Sequence, residues 1–201
     1  MRRVLVREYA APPIDRREIL RYAGATESSP EVEALLDACI SEVGDRLSYR
    51  VCFGEYPVSV KGDGVMLGEM RVSSENLAHR LAGCDRAVLF AATVGHTPDR
   101  LIARYGSVSP ARALMHQAIG TERIEALCDL FEGEIREEKA RQGVSVARRY
   151  SPGYGDLSLE IQREIFAHVD CAKRIGVTLN ESLLMSPSKS VTAIIGIGKK
   201  E

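Results

Sequence analysis

The sequence predicts an α+β fold in which helices flank a mainly antiparallel sheet. The clearest strand is the near-continuous apolar run Arg86–Val94, which is typical of a central strand buried on both faces. Loose alternation over residues 48–60 and 65–71, on either side of a Gly-Asp-Gly turn, indicates a hairpin. The Ser109-Pro110 pair opens a helical pattern that continues to about Arg141. Because the strands are expected to pair mostly through hairpins, the sheet should be antiparallel.

Start and stop signals place the other elements. Serine or aspartate at candidate capping positions predicts several further helices, and at one of them, Ser29, the next residue is a proline. In chain order, the further elements are a strand over Val4–Tyr9, helices from Asp15 to Tyr22, from Ser29 to about Leu47, from Ser74 to Ala82 and from Asp99 to Tyr105, a strand over Val144–Arg149, helices over Leu159–Val169 and Asp170–Ile175, and strands over Thr178–Met185 and Ser190–Ile197.

Three details of these elements are also predicted. Ser186–Lys189 should form the turn of a hairpin between the last two strands. Gly120 and Gly133 should weaken the long helix at two points, because glycine is a poor helix former. The charged stretch Glu132–Lys139 at the end of that helix should face solvent.

Composition limits the class of protein. A chain of 201 residues with 45% hydrophobic and 27% charged residues is expected to form a single domain over residues 1–201. The net charge of −1 gives no sign of nucleic-acid binding. The start of the chain lacks the long apolar region of an export signal, and the longest apolar run is too short to span a bilayer. A cytoplasmic protein without membrane partners is therefore expected.

Cysteine and histidine spacing argues against a metal centre. The five cysteines include no Cys-x-x-Cys pair, and the four histidines form no metal-binding motif. An odd number of cysteines in a chain without an export signal favours buried, reduced thiols. We therefore predict no metal ligands.

The segment Arg149-Tyr150-Ser151-Pro152-Gly153-Tyr154-Gly155-Asp156 is the strongest candidate for a binding site. An arginine offers a planar fork of donors that suits a carboxylate. The Pro-Gly pair sets a rigid bend in which glycine can adopt positive φ and let a ligand approach the backbone. Tyrosine adds a flat apolar face with a polar tip. Together they suit a small zwitterion that carries an aromatic base, although a surface turn with an exposed arginine has the same pattern.

As Arg-x-x-x-Gly-Tyr, Arg149–Tyr154 resembles the S-adenosylmethionine-binding signature of the activation domain of cobalamin-dependent methionine synthase. Ile175–Ala193 is similar to that domain's downstream pattern, through Gly176, Glu181-Ser182, Met185, Pro187 and Ser190-Val191-Thr192. Gly83–Gly95 is similar to small stand-alone members of the family. The signature-bearing part therefore covers about residues 144–198. The resemblance implies a curved, mainly antiparallel sheet flanked by helices.

The resemblance also implies ligands and roles. Arg149 would bind the carboxylate of S-adenosylmethionine, and Tyr154 would face a corrin ring or place the ligand's methyl group. For the rest of the loop, we expect the backbone of Tyr150, Ser151, Pro152 and Gly153 to contact the adenine. Glu181 would support Arg149 or the ligand's ammonium, although a plain strand-edge glutamate explains it equally well.

The implied reaction is the reductive methylation of cob(II)alamin. An external flavodoxin or ferredoxin would supply one electron, and the methyl group of S-adenosylmethionine would then pass to the reduced cobalt. The cofactor would do the chemistry and the protein would supply orientation. This agrees with the lack of any Ser/His/Asp or Cys/His set in the sequence.

The sequence departs from the family in ways that keep an alternative open. It has no Asp-x-His-x-x-Gly motif to supply a histidine ligand to cobalt, so cobalamin would be carried by a separate methionine synthase or corrinoid protein. The chain would then be the activation component of a methyltransferase rather than a complete enzyme. Tryptophan is absent, and Ser186 lies between Met185 and Pro187. The alternative is a non-catalytic factor for binding or assembly of a corrinoid protein. A methyltransferase acting on a small nucleophile is disfavoured, since no Gly-x-Gly-x-x-Gly motif is present.

Overall fold

The computed structural model describes residues 4–25 and 29–199. Residues 1–3, part of the segment considered for an export signal, and Lys200 lie outside the described residues. In chain order the elements are β1 (Leu5–Tyr9), α1 (Arg16–Tyr22), α2 (Pro30–Val43), β2 (Tyr49–Lys61), β3 (Gly64–Leu67), β4 (Met70–Ser73), α3 (Glu75–Arg80), β5 (Cys84–Thr93), α4 (Thr97–Tyr105), α5 (Pro110–Ala140), β6 (Val144–Val146), α6 (Ile161–Val169), α7 (Cys171–Ile175), β7 (Thr178–Leu179), β8 (Met185–Ser186) and β9 (Ser190–Lys199).

One antiparallel sheet organises the described residues. Its strand order is β4-β3-β2-β5-β9-β6, and β1 pairs with the first half of β2. β5 lies between β2 and β9, and every residue from Ala87 to Thr93 is buried because both faces of the strand are covered. The predicted α+β class, with a mainly antiparallel sheet flanked by helices, is confirmed.

The two faces of the sheet carry separate apolar clusters. On one face, α5 packs Ile124, Leu127 and Phe131 against inward side chains of β2, β5 and β9. On the other face, α3, α6 and α7 cover the alternate side chains of the same strands. A third cluster joins α1, α2 and α4 to the first half of α5. Because α5 is 31 residues long, its first half belongs to the helical layer and its second half to the sheet.

The helix starts follow the sequence closely. Asp15, Ser29 and Ser74 each cap a helix by accepting a hydrogen bond from a backbone N–H three residues later. Helix α2 ends at Val43, earlier than predicted, because Gly44 adopts a positive φ of 51°. All five cysteines are free, and only Cys84 is not fully buried.

The predicted hairpin near the C-terminus is wrong. Residues 178–185 do not form one strand, because the chain turns back between Leu179 and Met185 and pairs β7 with β8. Asn180 stabilises this turn through its side-chain oxygen, which accepts from the N–H of Leu184, and Leu183 adopts a φ of 62°. β9 therefore pairs with β5 and β6, not with the preceding strand.

Three smaller predictions also need correction. The strand predicted over residues 65–71 is split into β3 and β4 by a turn at Gly68, whose φ is 65°. The strand predicted over Val144–Arg149 ends at Val146. In the second half of α5, Glu132 is buried rather than solvated, because it contacts Arg149 and Arg136.

Candidate functional site

A pocket of about 490 Å³ lies at the edge of the sheet, beside the signature loop. Its volume is within the range of small-molecule sites. Walls come from α3, α5, the start of α6, β8, β9 and the loop itself. The lining residues are Arg80, Glu125, Asp129, Glu132, Arg148, Arg149, Tyr150, Ser151, Pro152, Tyr154, Gln162, Met185, Ser190, Val191 and Thr192.

The pocket exists because the strand beside β9 ends early. Tyr150 and Ile194 exchange both backbone hydrogen bonds at 2.9 Å, so the segment after β6 still follows β9 at this point. Two residues further, Pro152 would lie opposite Thr192 if the pairing continued. Proline has no N–H to donate, and the chain leaves the sheet here. The gap beside Thr192 becomes the inner wall of the pocket.

The signature loop then folds back on itself and on α3. Gly153 adopts a φ of 90°, the positive value expected from the sequence, and its N–H donates to Leu157 O at 2.8 Å. Asp156 accepts hydrogen bonds from the Ser74 hydroxyl and from the N–H groups of Glu75 and Asn76. The Ser74 hydroxyl and these N–H groups hold the pKa of Asp156 below its usual range. The loop is thereby fastened to the N-terminus of α3.

Arg149 is surrounded by carboxylates from one face of α5. Its Nη1 donates to Asp129 at 2.5 Å and to Glu132 at 3.0 Å, and its Nη2 donates to Glu125 at 2.8 Å. The Arg149 side chain is 21% exposed, whereas Asp129 is 70% and Glu125 42% exposed. Glu125 and Asp129 therefore reach further into solvent than the guanidinium, whereas Glu132, at 9% exposed, lies deeper than it does.

Electrostatics keep this arginine charged. Burial opposes the charge of Arg149, but its hydrogen bond to Asp129 and the other nearby carboxylates hold its pKa above the ordinary value. The three hydrogen bonds use three of its five side-chain donors. Two donors remain for a ligand. Three carboxylates contact Arg149 on this wall, and one of them, Glu132, is also paired with Arg136.

The two signature tyrosines differ in exposure. Tyr150 is half-buried under Arg80, whose guanidinium carbon lies 4.4 Å from the ring centroid. Its hydroxyl donates to Tyr154 O at 2.8 Å, and this hydrogen bond stabilises the loop. The side chain of Tyr154 is 67% exposed at the mouth of the pocket. Ser151 and Pro152 line the pocket between them.

The structure places Glu181 away from the pocket walls. This residue is exposed in the turn between β7 and β8, and its backbone carbonyl accepts from Arg163 at 3.0 Å. Its assignment as a ligand contact stays a prediction. The carboxylates that contact Arg149 come from Glu125, Asp129 and Glu132 instead. Their spacing of four and three residues marks one helix face, which is the signal in the sequence that could have identified them.

Fold and site together define a domain with a helix-flanked antiparallel sheet and a pocket with charged walls at the sheet edge. The family described as vitamin B12 dependent methionine synthase, activation domain, matches residues 69–200, and the chain belongs to this family. A solved structure described as the MetH reactivation domain bound to AdoHcy aligns with a TM-score of 0.69 and 16% sequence identity, over 96% of this chain and 78% of that chain. At this identity the similarity establishes the fold. Comparison with curated proteins gives no match.

The described part of the chain has neither a helix suited to cross a membrane nor a cluster of metal ligands. Over residues 4–25 and 29–199, no helix combines the length and apolar character needed to cross a membrane. Within the same ranges, no group of three or more His, Cys, Asp or Glu side chains is arranged to hold a metal ion.

Proposed function

We propose that the chain binds S-adenosylmethionine in the pocket and supports the reductive methylation of cob(II)alamin on a separate protein. That protein would be a cobalamin-dependent methionine synthase or a related corrinoid methyltransferase. The observation that carries the proposal is that the signature loop of a family member forms one wall of a ligand-sized pocket, with Arg149 beside it. The known ligand of the solved reactivation domain, AdoHcy, is the demethylated form of the same compound.

The charged wall suits the charges of this ligand. S-adenosylmethionine carries a positive sulfonium, a positive ammonium and a negative carboxylate. The exposed carboxylates of Glu125 and Asp129 attract the two positive groups. The two remaining N–H donors of Arg149 donate to the ligand's carboxylate, in line with the preference of guanidinium for carboxylates. In this arrangement the carboxylates of α5 also fix the orientation of Arg149.

The mouth of the pocket suits a large apolar partner. Tyr154, which lines the pocket, is 67% exposed. Leu184, adjacent in sequence to the pocket-lining Met185, is 65% exposed, and Leu159, five residues after Tyr154, is also exposed. Tyr154 would contact the corrin that receives the methyl group, and the apolar residues would be covered by the corrinoid protein. A flavodoxin or ferredoxin would supply the electron. The corrinoid, held by the partner, would accept the methyl group, and S-adenosylhomocysteine would remain in the pocket.

One observation favours a second candidate, a non-catalytic factor for corrinoid-protein binding or assembly. Arg149 already contacts three carboxylates of its own chain. A ligand carboxylate must therefore compete for a guanidinium whose charge is offset, which lowers the affinity expected for S-adenosylmethionine. In this case the exposed residues at the pocket mouth would serve docking alone.

Calorimetric titration tests the binding step. Wild-type protein should bind S-adenosylmethionine and S-adenosylhomocysteine, and Arg149→Ala should lose at least tenfold in affinity, about 1.4 kcal/mol. Arg149→Lys should lose nearly as much, since an ammonium lacks the planar fork. Arg17→Ala, which removes an exposed arginine of α1, is the control and should bind as wild type does. Equal binding by wild type and Arg149→Ala would contradict the role of Arg149.

A reactivation assay separates the two candidates. The mixture would contain a corrinoid protein in the cob(II)alamin state, a reduced flavodoxin and S-adenosylmethionine. Methylcobalamin and S-adenosylhomocysteine should form in equal amounts only when this chain is present. If the chain binds the corrinoid protein but no methyl transfer follows, the non-catalytic candidate is correct.

A further inference from the structure

Part of the pocket lining, the neutral wall formed by Gln162 and Thr192, has polar atoms without partners. Gln162, in the first turn of α6, is 5% exposed, and Thr192 of β9 is 2% exposed. Within the part of the chain that the structure describes, Gln162 Oε1 and Thr192 Oγ1 are buried and have no hydrogen-bond partner. Both residues line the pocket. A buried polar atom without a partner is costly, so a bound group that pairs with it gains affinity.

The backbone of Thr192 faces the same space. Ile194 bonds to Tyr150 and Gly196 O accepts from Ala147 N, so alternate residues of β9 direct their N–H and C=O toward this edge. Thr192 is the next residue in that series, and the neighbouring segment has already left the sheet after Tyr150. The neutral wall therefore combines a carboxamide, a hydroxyl and an open strand edge.

We propose that Gln162, assisted by Thr192, reads the adenine base of an adenosyl ligand. The inference rests on the proposed function and names the part of the ligand that this wall binds. A glutamine carboxamide presents one acceptor and one donor in a plane, the arrangement that pairs with N6 and N7 of adenine. Gln162 Oε1 accepts from the exocyclic N6 amine, and the amide NH₂ donates to N7. Pro152, Val191 and Met185 line the same pocket and supply apolar contacts to the ring.

The division of charge in the pocket supports this assignment. Charged ends of the ligand are satisfied at Glu125, Asp129 and Arg149, whereas a buried neutral amide and hydroxyl favour a neutral group. The signature loop and Gln162 do not compete, because adenine has two edges. The backbone of Tyr150–Gly153 can contact N1 and one N6 hydrogen while Gln162 contacts N7 and the other.

The test measures binding of S-adenosylhomocysteine and two analogues to wild type and to two matched variants, Gln162→Met and Gln117→Met. S-inosylhomocysteine replaces the N6 amine with an oxygen, and S-(2′-deoxyadenosyl)homocysteine removes a ribose hydroxyl. Wild type should prefer the adenosyl over the inosyl compound by about tenfold or more, the discrimination typical of one bidentate pair. In Gln162→Met this preference should fall by about tenfold, to the part that the loop backbone supplies at N1 and N6. Gln117→Met, on the exposed face of α5, keeps the wild-type preference and controls for the substitution itself.

The outcomes distinguish this inference from the proposed function. Binding of S-adenosylhomocysteine without preference over the inosyl compound, or a preference that is unchanged in Gln162→Met, overturns the inference alone. If Gln162→Met instead loses discrimination against the 2′-deoxy compound, the wall reads ribose and the adenine assignment is wrong. If wild type binds none of the three ligands, the proposed function fails and the inference fails with it. Thr192→Val, which keeps the β-branched shape suited to a strand, should weaken adenosyl binding and repeats the test if Gln162→Met does not fold.

Discussion

His116 is a buried histidine that the candidate site does not use. It lies in α5 and is 1% exposed, stacked on Tyr105 with ring centroids 5.6 Å apart. Its Nε2 lies 3.1 Å from the Glu42 carboxylate, and its Nδ1 is buried with no hydrogen-bond partner among the residues described. Protonation would bury an N–H without an acceptor. Burial, together with the nearby Arg112 and Arg46, outweighs the opposing effect of Glu42 and lowers the pKa of His116.

This lowered pKa predicts a pH dependence of stability. As pH falls through about 6.5, the unfolded chain binds a proton at residue 116 and the folded chain does not. The free energy of unfolding contributed by His116 is therefore present above pH 6.5 and is lost as pH falls toward the folded pKa, with a slope of at most about 1.4 kcal/mol per pH unit. Urea unfolding of wild type and His116→Gln between pH 5 and 8 measures the difference in slope.

The exposed His79 provides the control for this measurement. His79→Gln should keep the wild-type dependence of unfolding free energy on pH. His116→Gln should lose the part of that dependence that comes from one proton, and the glutamine amide N–H can still donate to Glu42. Parallel pH profiles for wild type and His116→Gln would contradict the prediction.

At the scale of single residues, the sequence predicts what each side chain can do better than it predicts which residues that side chain contacts. The arginine, the Pro-Gly bend and the positive φ of Gly153 follow from the chemistry of each residue within the loop. The contacts of Arg149 with α5 could not be foreseen in the same way, because Glu125 is 24 residues away in the chain. Such a pair depends on how two elements pack, and local patterns do not specify that packing.

Two glycines in α5 show that one substitution can have opposite effects within an element. A Cβ at Gly120 would lie 2.9 Å from Lys189 Cγ and 3.0 Å from Pro98 Cβ, where α4 and the segment before β9 pack on the helix. A Cβ at Gly133 would meet nothing within 4 Å among the described residues. Gly120 is therefore required for close packing, whereas Gly133 only lowers helix propensity.

Alanine substitution tests this difference. Gly133→Ala should stabilise the protein by about 0.5–1 kcal/mol, the gain in helix propensity. Gly120→Ala should destabilise it by about 1–3 kcal/mol, because overpacking outweighs the same gain. Denaturant midpoints of the two variants and wild type measure both effects, and an increase in stability for Gly120→Ala would show that Lys189 moves aside without cost.

Element boundaries show where sequence patterns lose information. Capping residues identify helix starts because the cap is a local hydrogen bond, as at Asp15 and Ser29. The apolar residues between Thr178 and Met185 predict one strand, whereas the structure has two short strands joined by a turn. This turn depends on the Asn180 side chain bonding to Leu184 N and on positive φ at Leu183. Leucine is an unusual residue for that conformation, so no sequence signal marked it.

At the scale of the whole molecule, α5 packs on one face of the sheet and joins its central strands. Phe131 is fully buried, and its ring lies 5.0 Å from Phe53 and 4.9 Å from Phe90, centroid to centroid. These three rings join α5, β2 and β5. The same helix carries the carboxylates of the pocket, so the aromatic contact also fixes the charged wall relative to β9.

Truncation of Phe131 should therefore affect global stability. Phe131→Ala is expected to cost about 3–5 kcal/mol, through lost burial and the cavity that remains. The neighbouring Leu130 is 37% exposed, and Leu130→Ala should cost less than about 1 kcal/mol. Equal losses for the two variants in urea unfolding would contradict the assignment of Phe131 to the centre of this face.

The fold class could be predicted at this scale because the long-range pattern is simple. A doubly buried strand and a long helix with one apolar face already indicate a covered sheet. Strand order could not be predicted, since β2, β5 and β9 are neighbours in the sheet but are separated in the chain by helices.

The position of β2 determines where a shortened form of the protein can begin. The family match begins at residue 69, in the turn between β3 and β4, yet β2 pairs with β1, β3 and β5 and lies entirely before that point. A fragment cut at the boundary of the match would lose β2 and leave the backbone of β5 without a neighbour along one side. An apolar strand left open in this way recruits other chains. The first residue of the family match is thus a poor start for an expressed fragment, because a cut there divides the sheet.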